Sequence, residues 1–534
     1  MHKFFFLLIM ISTIAIAGDP YPRNHAIDIR HYRFKLELND TTNAIAGTAE
    51  VTILFRKKLS SVSLDLIGRR ANGQGMAVSA VRHGENNLDF SHEKDRLRIT
   101  LPAALREGDT LRLQIQYNGI PADGLIIGVN KFGDRTFFGD NWPDRARHWL
   151  PTIDHPYDKA GCEFVVVAPN HYQVIANGMK VEQTSLPHNR LLTHWREEVP
   201  IPTKVMVIGV ARFAAAASGQ ADGIPVETWV YPQNREAGFS DFSEAASILS
   251  YFIEQIGPYA YRKLANVQST TRYGGMENAG NIFYFENAVT GKKEREALIA
   301  HEIAHQWFGD SASEADWYHV WLSEGFATYF TNLFLEHKYG RERLQLQMQQ
   351  QRKEVTDYFA KNPAPVIDTT ITDINRVLNT NSYEKGGWIL HMLRREVGDA
   401  AFWAGIRAYY SAYRNSNAVT SDFKRIIEQV SGMDLDSFFD QWLRQSGHPQ
   451  IRGTWRYDGK TKTLTVEISQ TQSGTLFSTH LDLGIVSANG SSGVERVLLS
   501  GKDNRYTFNW PQAPQQVVLD PNTWLLFEGE IRKK

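Results

Sequence analysis

His301-Glu302-Ile303-Ala304-His305 is followed, after 18 intervening residues, by Glu324 in the stretch Trp321-Leu322-Ser323-Glu324-Gly325-Phe326-Ala327-Thr328-Tyr329. The first stretch lies in a helical pattern. Thr290 stands where an N-cap belongs, and Ala297, Leu298, Ala304 and Phe308 make an apolar face. At about 100° per residue, positions four apart differ by about 40°. Both imidazoles therefore project from one face, one turn apart, and their nitrogens can bind one zinc ion at about 2.0–2.1 Å. Glu302, between them in sequence, can reach a water at the ion's open position without ligating the ion. A second helical pattern, ending near Gly340, carries Glu324. Helix, loop and antiparallel helix would set that carboxylate opposite the histidines. Two His, one Glu and one water make a catalytic zinc set with an open position. Without Glu324, the pair would read as two helix histidines in a polar patch.

Outward from this centre the hydrophobic period changes twice. From about 26 to 212 it is mostly two: Tyr32, Phe34, Leu36 and Leu38 alternate with polar residues, as do Leu111, Leu113, Ile115 and Tyr117. Such alternation marks half-buried strands, so residues 18–212 read as an all-β domain. The small-residue stretch Ala214 to Gly223 reads as a boundary. Beyond it apolar residues recur three and four apart over Phe242–Ile256, 292–308, 320–338, 383–397 and 422–430, so 213–447 reads as mainly helical. After Gly447-His448-Pro449 the period returns to two. Asp458-Gly459 and Asn489-Gly490 are hairpin signals, and 448–534 reads as a small β-sandwich.

Composition excludes several classes. The chain has 534 residues, 42% hydrophobic and 22% charged, an ordinary globular mix. Lys and Arg total 58 against 59 Asp and Glu, which argues against a general nucleic-acid coat. A single cysteine, Cys162, rules out an intrachain disulfide. It adjoins Glu163-Phe164-Val165-Val166-Val167, which looks like a core strand. Residues 1–17 combine Lys3, the apolar run Phe4–Ile16 and Ala15-Ile16-Ala17, the pattern of a secretory signal peptide. The other reading is an uncleaved anchor, but the run is shorter than the ~20 residues that span a bilayer. The expectation is export, to a periplasm or outside the cell, with no integral membrane segment after cleavage.

Two further motifs flank the centre. Gly274-Gly275-Met276-Glu277-Asn278 lets an extended backbone come close to a ligand. Asn381-Ser382-Tyr383-Glu384-Lys385-Gly386-Gly387 opens another helix, with Ser382 read as its N-cap and Tyr383 as a candidate oxyanion donor. Taken alone, the first would be a surface turn and the second a packed tyrosine.

Together the four motifs, in this order and at these separations, resemble the M1 family of zinc aminopeptidases, the gluzincin group. Arg147-His148-Trp149-Leu150-Pro151 with Asp154-His155-Pro156 and Lys159 resembles the end of the family's first β domain. The resemblance covers essentially the whole chain after residue 17. It implies an α+β fold of three domains: an N-terminal β saddle, a thermolysin-like α-rich catalytic domain with a small sheet, and a C-terminal β-sandwich. It implies one Zn2+ held by His301, His305 and Glu324, with Glu302 as general base and Tyr383 stabilising the tetrahedral intermediate. Glu277 would grip the α-ammonium of a peptide with a free N-terminus. Gly274, Gly275, Met276 and Asn278 would hold the first residues as an added strand, with Met276 lining the first pocket.

The sequence departs from the family in two places. The position that assists Glu277 in relatives falls at Trp142, leaving Asp140 or Asn141 as substitutes. No stretch reads as the family's large C-terminal helical domain, so a more open site is expected. The competing readings are a catalytically silent or narrow-specificity peptide-binding protein on this scaffold, a lipid-epoxide-opening relative, and an endopeptidase.

Overall fold

The computed structural model describes residues 18–487, 490 and 492–534. The expected leader at 1–17 lies outside the described residues, as does Asn489 of the second hairpin signal. The strands flanking that signal, Thr479–Ser487 and Ser492–Leu499, pair antiparallel.

The N-terminal region follows its alternation. Ile27–Glu37, Ile45–Phe55 and Thr110–Ile120 lie side by side in an eight-stranded sheet, with Tyr32 opposite Val51. Tyr32, Phe34 and Leu36 point inward and are buried. Lys159–Pro169 runs parallel to Ile27–Glu37 and is buried on both faces. That explains its unbroken apolar run, because a strand covered on both sides has no solvent face to mark. Cys162 is buried within it.

Ala214–Ala221, read as a boundary, is a strand of the next unit. It edges a five-stranded sheet whose other edge is the short strand Gly275–Met276. Small residues fit an edge strand as readily as a linker, so composition alone could not separate the two. The histidine helix (Glu296–His305) meets this sheet at Gly275–Met276, and the glutamate helix (Trp321–Tyr339) packs on it and in turn against the glutamine-rich helix (Arg341–Phe359) and the helix Gly386–Val397. The C-terminal region stacks a four-stranded sheet, centred on Gln450–Asp458 and Thr463–Gln470, against a three-stranded sheet centred on Thr479–Ser487. One continuous hydrophobic cluster runs through all three regions. Among the described residues no helix is long and apolar enough to cross a membrane.

Two capping expectations fail for tertiary reasons. The histidine helix begins at Glu296, not after Thr290. The Asp241 carboxylate accepts from the backbone N–H of Thr290, Gly291 and Lys293. Lys293 sits at φ 56°, so the preceding turn is bent away from a helical path. Ser382 does not cap a helix either. It lies inside a π-helical turn, Asn381–Lys385, and its hydroxyl donates to the carbonyls of Val377 and Asn379. It closes the preceding loop instead.

The N-terminal region is locked to the loop after the histidine helix. Lys204 Nζ meets Glu314 Oε1 at 2.6 Å, both buried. Lys159 Nζ donates to the carbonyls of Asp310, Ser311 and Ser416. Asp19 accepts from Trp317 N and from Arg23, which also reaches Asp316. This seam holds Trp142 edge-on against Trp317, ring centroids 5.5 Å apart, and so fixes one wall of the cleft.

Candidate metal centre and peptide cleft

The histidine helix and the glutamate helix bring three donor atoms together. His301 Nε2 and His305 Nε2 stand 3.1 Å apart. Glu324 Oε2 lies 3.1 Å from His305 Nε2 and 3.5 Å from His301 Nε2. Donors at about 2.0–2.1 Å from one tetrahedral ion stand about 3.3 Å from each other. Two ring nitrogens facing one another need a cation or a shared proton between them. Glu324 Oε2 is buried and accepts no hydrogen bond. His305 Nδ1 lies 3.1 Å from Phe308 O, which fixes the N–H there and leaves the Nε2 lone pair facing the site. These residues fit a zinc ion by spacing, by donor chemistry and by the unsatisfied carboxylate oxygen.

Close backbone approach sets the frame. A Cβ at Gly325 would stand 2.8 Å from Gly386 Cα, so two glycines let the glutamate helix touch the turn that carries Tyr383. A Cβ at Gly275 would overlap the Glu302 carboxylate. The strand Gly275–Met276 therefore lies directly over Glu302, and only glycine permits it.

Around this centre lies a cleft of about 440 Å³. Of the residues singled out in the sequence, Gly274, Gly275, Met276, Glu277, His301, Glu302, His305, Glu324 and Tyr383 all line it. Asn278 is fully buried beneath and does not. Carboxylate oxygens of Glu277 and Glu302 and a His305 nitrogen lie within 4.8 Å of one another. Glu277 Oε1 is buried with no hydrogen-bond partner.

Burial pushes the Glu302 carboxyl well above the usual range, against the pull of His305, with Glu277 and Glu324 adding to the rise. Burial also raises Glu324, but the His305 and His301 imidazoles overcome it and hold that carboxyl below the usual range. The Tyr383 hydroxyl is driven well up by burial and by Glu324 and Glu277, and stays protonated. Its ring stacks on His301 at 6.0 Å.

Of the two proposed helpers of Glu277, Asn141 is committed elsewhere. Its amide donates to Thr203 O and Met206 O, and its oxygen accepts from Trp149 Nε1. Asp140 keeps one buried oxygen unpaired, but neither residue lines the cleft, whereas Trp142 does.

Sequence reasoning missed Gln306. Its amide nitrogen donates to Glu277 O at 2.7 Å and to Asp310 Oδ2 at 2.9 Å, and its oxygen accepts from Gly280 N. It ties the backbone under Glu277 to the end of the histidine helix. Its place directly after His305 was the only signal available.

The family model described as the peptidase family M1 domain matches residues 241–442, and that for the peptidase M1 N-terminal domain matches 29–205. Glutamyl aminopeptidase of Sus scrofa is 27% identical over 327 residues, 58% of this chain and 35% of its own length. Aminopeptidase 2 of Candida albicans is 22% identical over 500 residues, 87% of this chain and 53% of its own. The chain thus spans about half or less of the curated relatives it matches. Among solved structures, an M1 zinc metallopeptidase from Deinococcus radiodurans superposes with a TM-score of 0.67 at 25% identity, covering 79% of this chain and 95% of that one. A variant of a two-domain M1 zinc metallopeptidase, bound to L-tryptophan, gives 0.69 at 24% identity, over 80% and 96% of the two chains.

Proposed function

The chain belongs to peptidase family M1, and from that membership we propose that it is a zinc aminopeptidase, hydrolysing the first peptide bond of peptides with a free N-terminus. His301, His305 and Glu324 would hold the ion. When bound, zinc supplies Lewis-acid polarisation of the scissile carbonyl and acidifies water toward a pKa of ~7.

The remaining work belongs to the chain's own groups. Glu302, whose burial raises its proton affinity, takes the proton of the attacking water and returns it to the leaving amine. The protonated Tyr383 hydroxyl donates to the developing oxyanion, where its help grows with the charge. The outer edge of Gly275–Met276, without a strand partner among the described residues, offers its backbone to an extended peptide. Glu277 then pairs with the α-ammonium. Two charges 4 Å apart gain about 4 kcal/mol at an effective dielectric of 20, which a blocked N-terminus forfeits.

The observation that carries this reading is the buried, unpartnered Glu277 oxygen beside Glu302 and His305. A buried carboxylate without a partner is costly, and a substrate cation relieves that cost. Glu277→Ala should lower kcat/KM for free-amine peptides by about a hundredfold, or ~2.7 kcal/mol. Unchanged cleavage would remove the exopeptidase assignment. The silent-binder alternative would expect a ligand, the base or the tyrosine to be lost, and all are present. Export, to a periplasm or outside the cell, is proposed on the leader-like residues 1–17 alone.

A further inference from the structure

Past Glu324 the cleft is walled by side chains that the mechanism leaves unused. Thr328 and Asn332 line it from the glutamate helix, one and two turns beyond Glu324. Gln347 and Gln351 line it from the glutamine-rich helix, and Glu384 from the turn behind Tyr383. Asn332 donates to Gln351 Oε1 at 2.8 Å. That bond uses the Asn332 amide and the Gln351 oxygen, and leaves the Asn332 oxygen and the Gln351 amide nitrogen without a hydrogen-bond partner among the described residues.

Glu384 is half-buried, and among the described residues it has no cation beside it. Its charged neighbours are the carboxylates Glu354 and Glu324, and among the described residues Glu354 is itself met by the amide of Gln350 and by no cation. Burial, with these like charges, pushes the Glu384 carboxyl up to about 7. This end of the cleft is short of a positive charge.

Its side of the bond follows from the other carboxylates. Glu277 clusters with Glu302 and His305, whereas Glu384 lies on the turn that packs against the glutamate and glutamine-rich helices and feels the charges of Glu354 and Glu324. Of the ligands, His305 clusters with Glu277, and Glu324 sits on the helix that continues to Thr328 and Asn332. If Glu277 holds the first residue, the Glu384 wall faces the residues that leave.

We propose that Glu384 makes this wall a subsite for a basic side chain on the second residue of the peptide, with Asn332 Oδ1 and the Thr328 hydroxyl accepting from its cationic head. The inference rests on the aminopeptidase reading and deepens it. Lysine and norleucine have nearly the same length and differ in charge, so they isolate the carboxylate's share.

The test uses the full chain with zinc and two pools of tetrapeptides. Each has a randomised first residue, and the second residue is lysine in one pool and norleucine in the other. Competition in one vessel gives the ratio of kcat/KM. The expected ratio is about tenfold in favour of lysine, the size of a partly screened ion pair in a cleft. Glu384→Gln, a neutral isostere, should bring that ratio close to one. Cleavage of both pools at equal rates by the unaltered chain overturns the subsite and leaves the aminopeptidase standing. A lysine preference that survives Glu384→Gln also overturns it. Failure to cleave either pool overturns the aminopeptidase reading and the subsite with it.

Discussion

Both the N-terminal seam and the cleft bury carboxylates, but Asp19, Asp65 and Asp154 on the seam's side are wired unlike Glu277 and Glu324 in the cleft. In the seam, Asp19 accepts from Tyr21 N, Trp317 N and Arg23, and faces the His155 ring. Asp65 accepts from Tyr21, Asp154 N and Arg96. Asp154 accepts from Arg147 and Thr203. Every oxygen of these acids has a partner. In the cleft, Glu277 and Glu324 each keep a buried oxygen unpaired, and Glu302 draws its proton affinity from burial among them. Asp19, Asp65 and Asp154 are saturated, whereas Glu314 of the same seam keeps Oε2 unpaired beside its ion pair with Lys204. What sets Glu277 and Glu324 apart is that they line the cleft, where a cation or an ammonium can enter.

That contrast predicts opposite phenotypes. The largest effect should come from Glu302→Gln, which keeps the side chain's shape and removes its basicity. It should retain bound zinc and the fold, with kcat down about 10³–10⁴-fold, read by metal analysis and steady-state kinetics. Retained turnover would end the general-base role. Tyr383→Phe should follow, lowering kcat about 10²–10³-fold with KM little changed, because the hydroxyl acts on the transition state. A pure KM effect would reassign that residue.

The seam should behave in reverse. Burial pushes the Asp19 carboxyl up, yet His155, Trp317 N and Arg23 hold it down at about 2, below its ordinary 3.8. A carboxyl lowered in the folded state contributes stability above its unfolded pKa and loses it as pH falls through the folded one. Asp19→Asn should therefore cost about 2 kcal/mol near neutrality, with kcat nearly unchanged. In denaturant titrations the gap between the two proteins should close from about pH 4 down to pH 2. A constant gap would show that shape, rather than charge, is what Asp19 supplies.

The sequence made much of this legible because the chemistry sits on local spacing. The one-turn separation of His301 and His305 is a property of any helix, and Glu324 needed only a second helix folded back. The β, α, β order followed from a period that changes from two to 3.6 and back. What stayed hidden depends on contacts between distant residues. Thr290 looks like a cap until Asp241, some fifty positions earlier, captures the backbone around it. Ser382 looks like a helix start until the loop at Val377 claims its hydroxyl. Asn141 looks free for substrate until Thr203 and Trp149 use up its amide. The Glu384 wall is assembled from three separate elements, so no single stretch of sequence displays it.

The central claim is that unsatisfied carboxylates in the cleft await a metal and an amine. The most direct measurement compares two peptides of identical sequence, one with a free N-terminus and one N-acetylated, with products read by mass spectrometry with and without a chelator. Stepwise loss of residues from the free peptide alone, abolished by the chelator and restored by zinc, is the predicted result. Internal cuts in both peptides, or cleavage indifferent to the chelator, would contradict it.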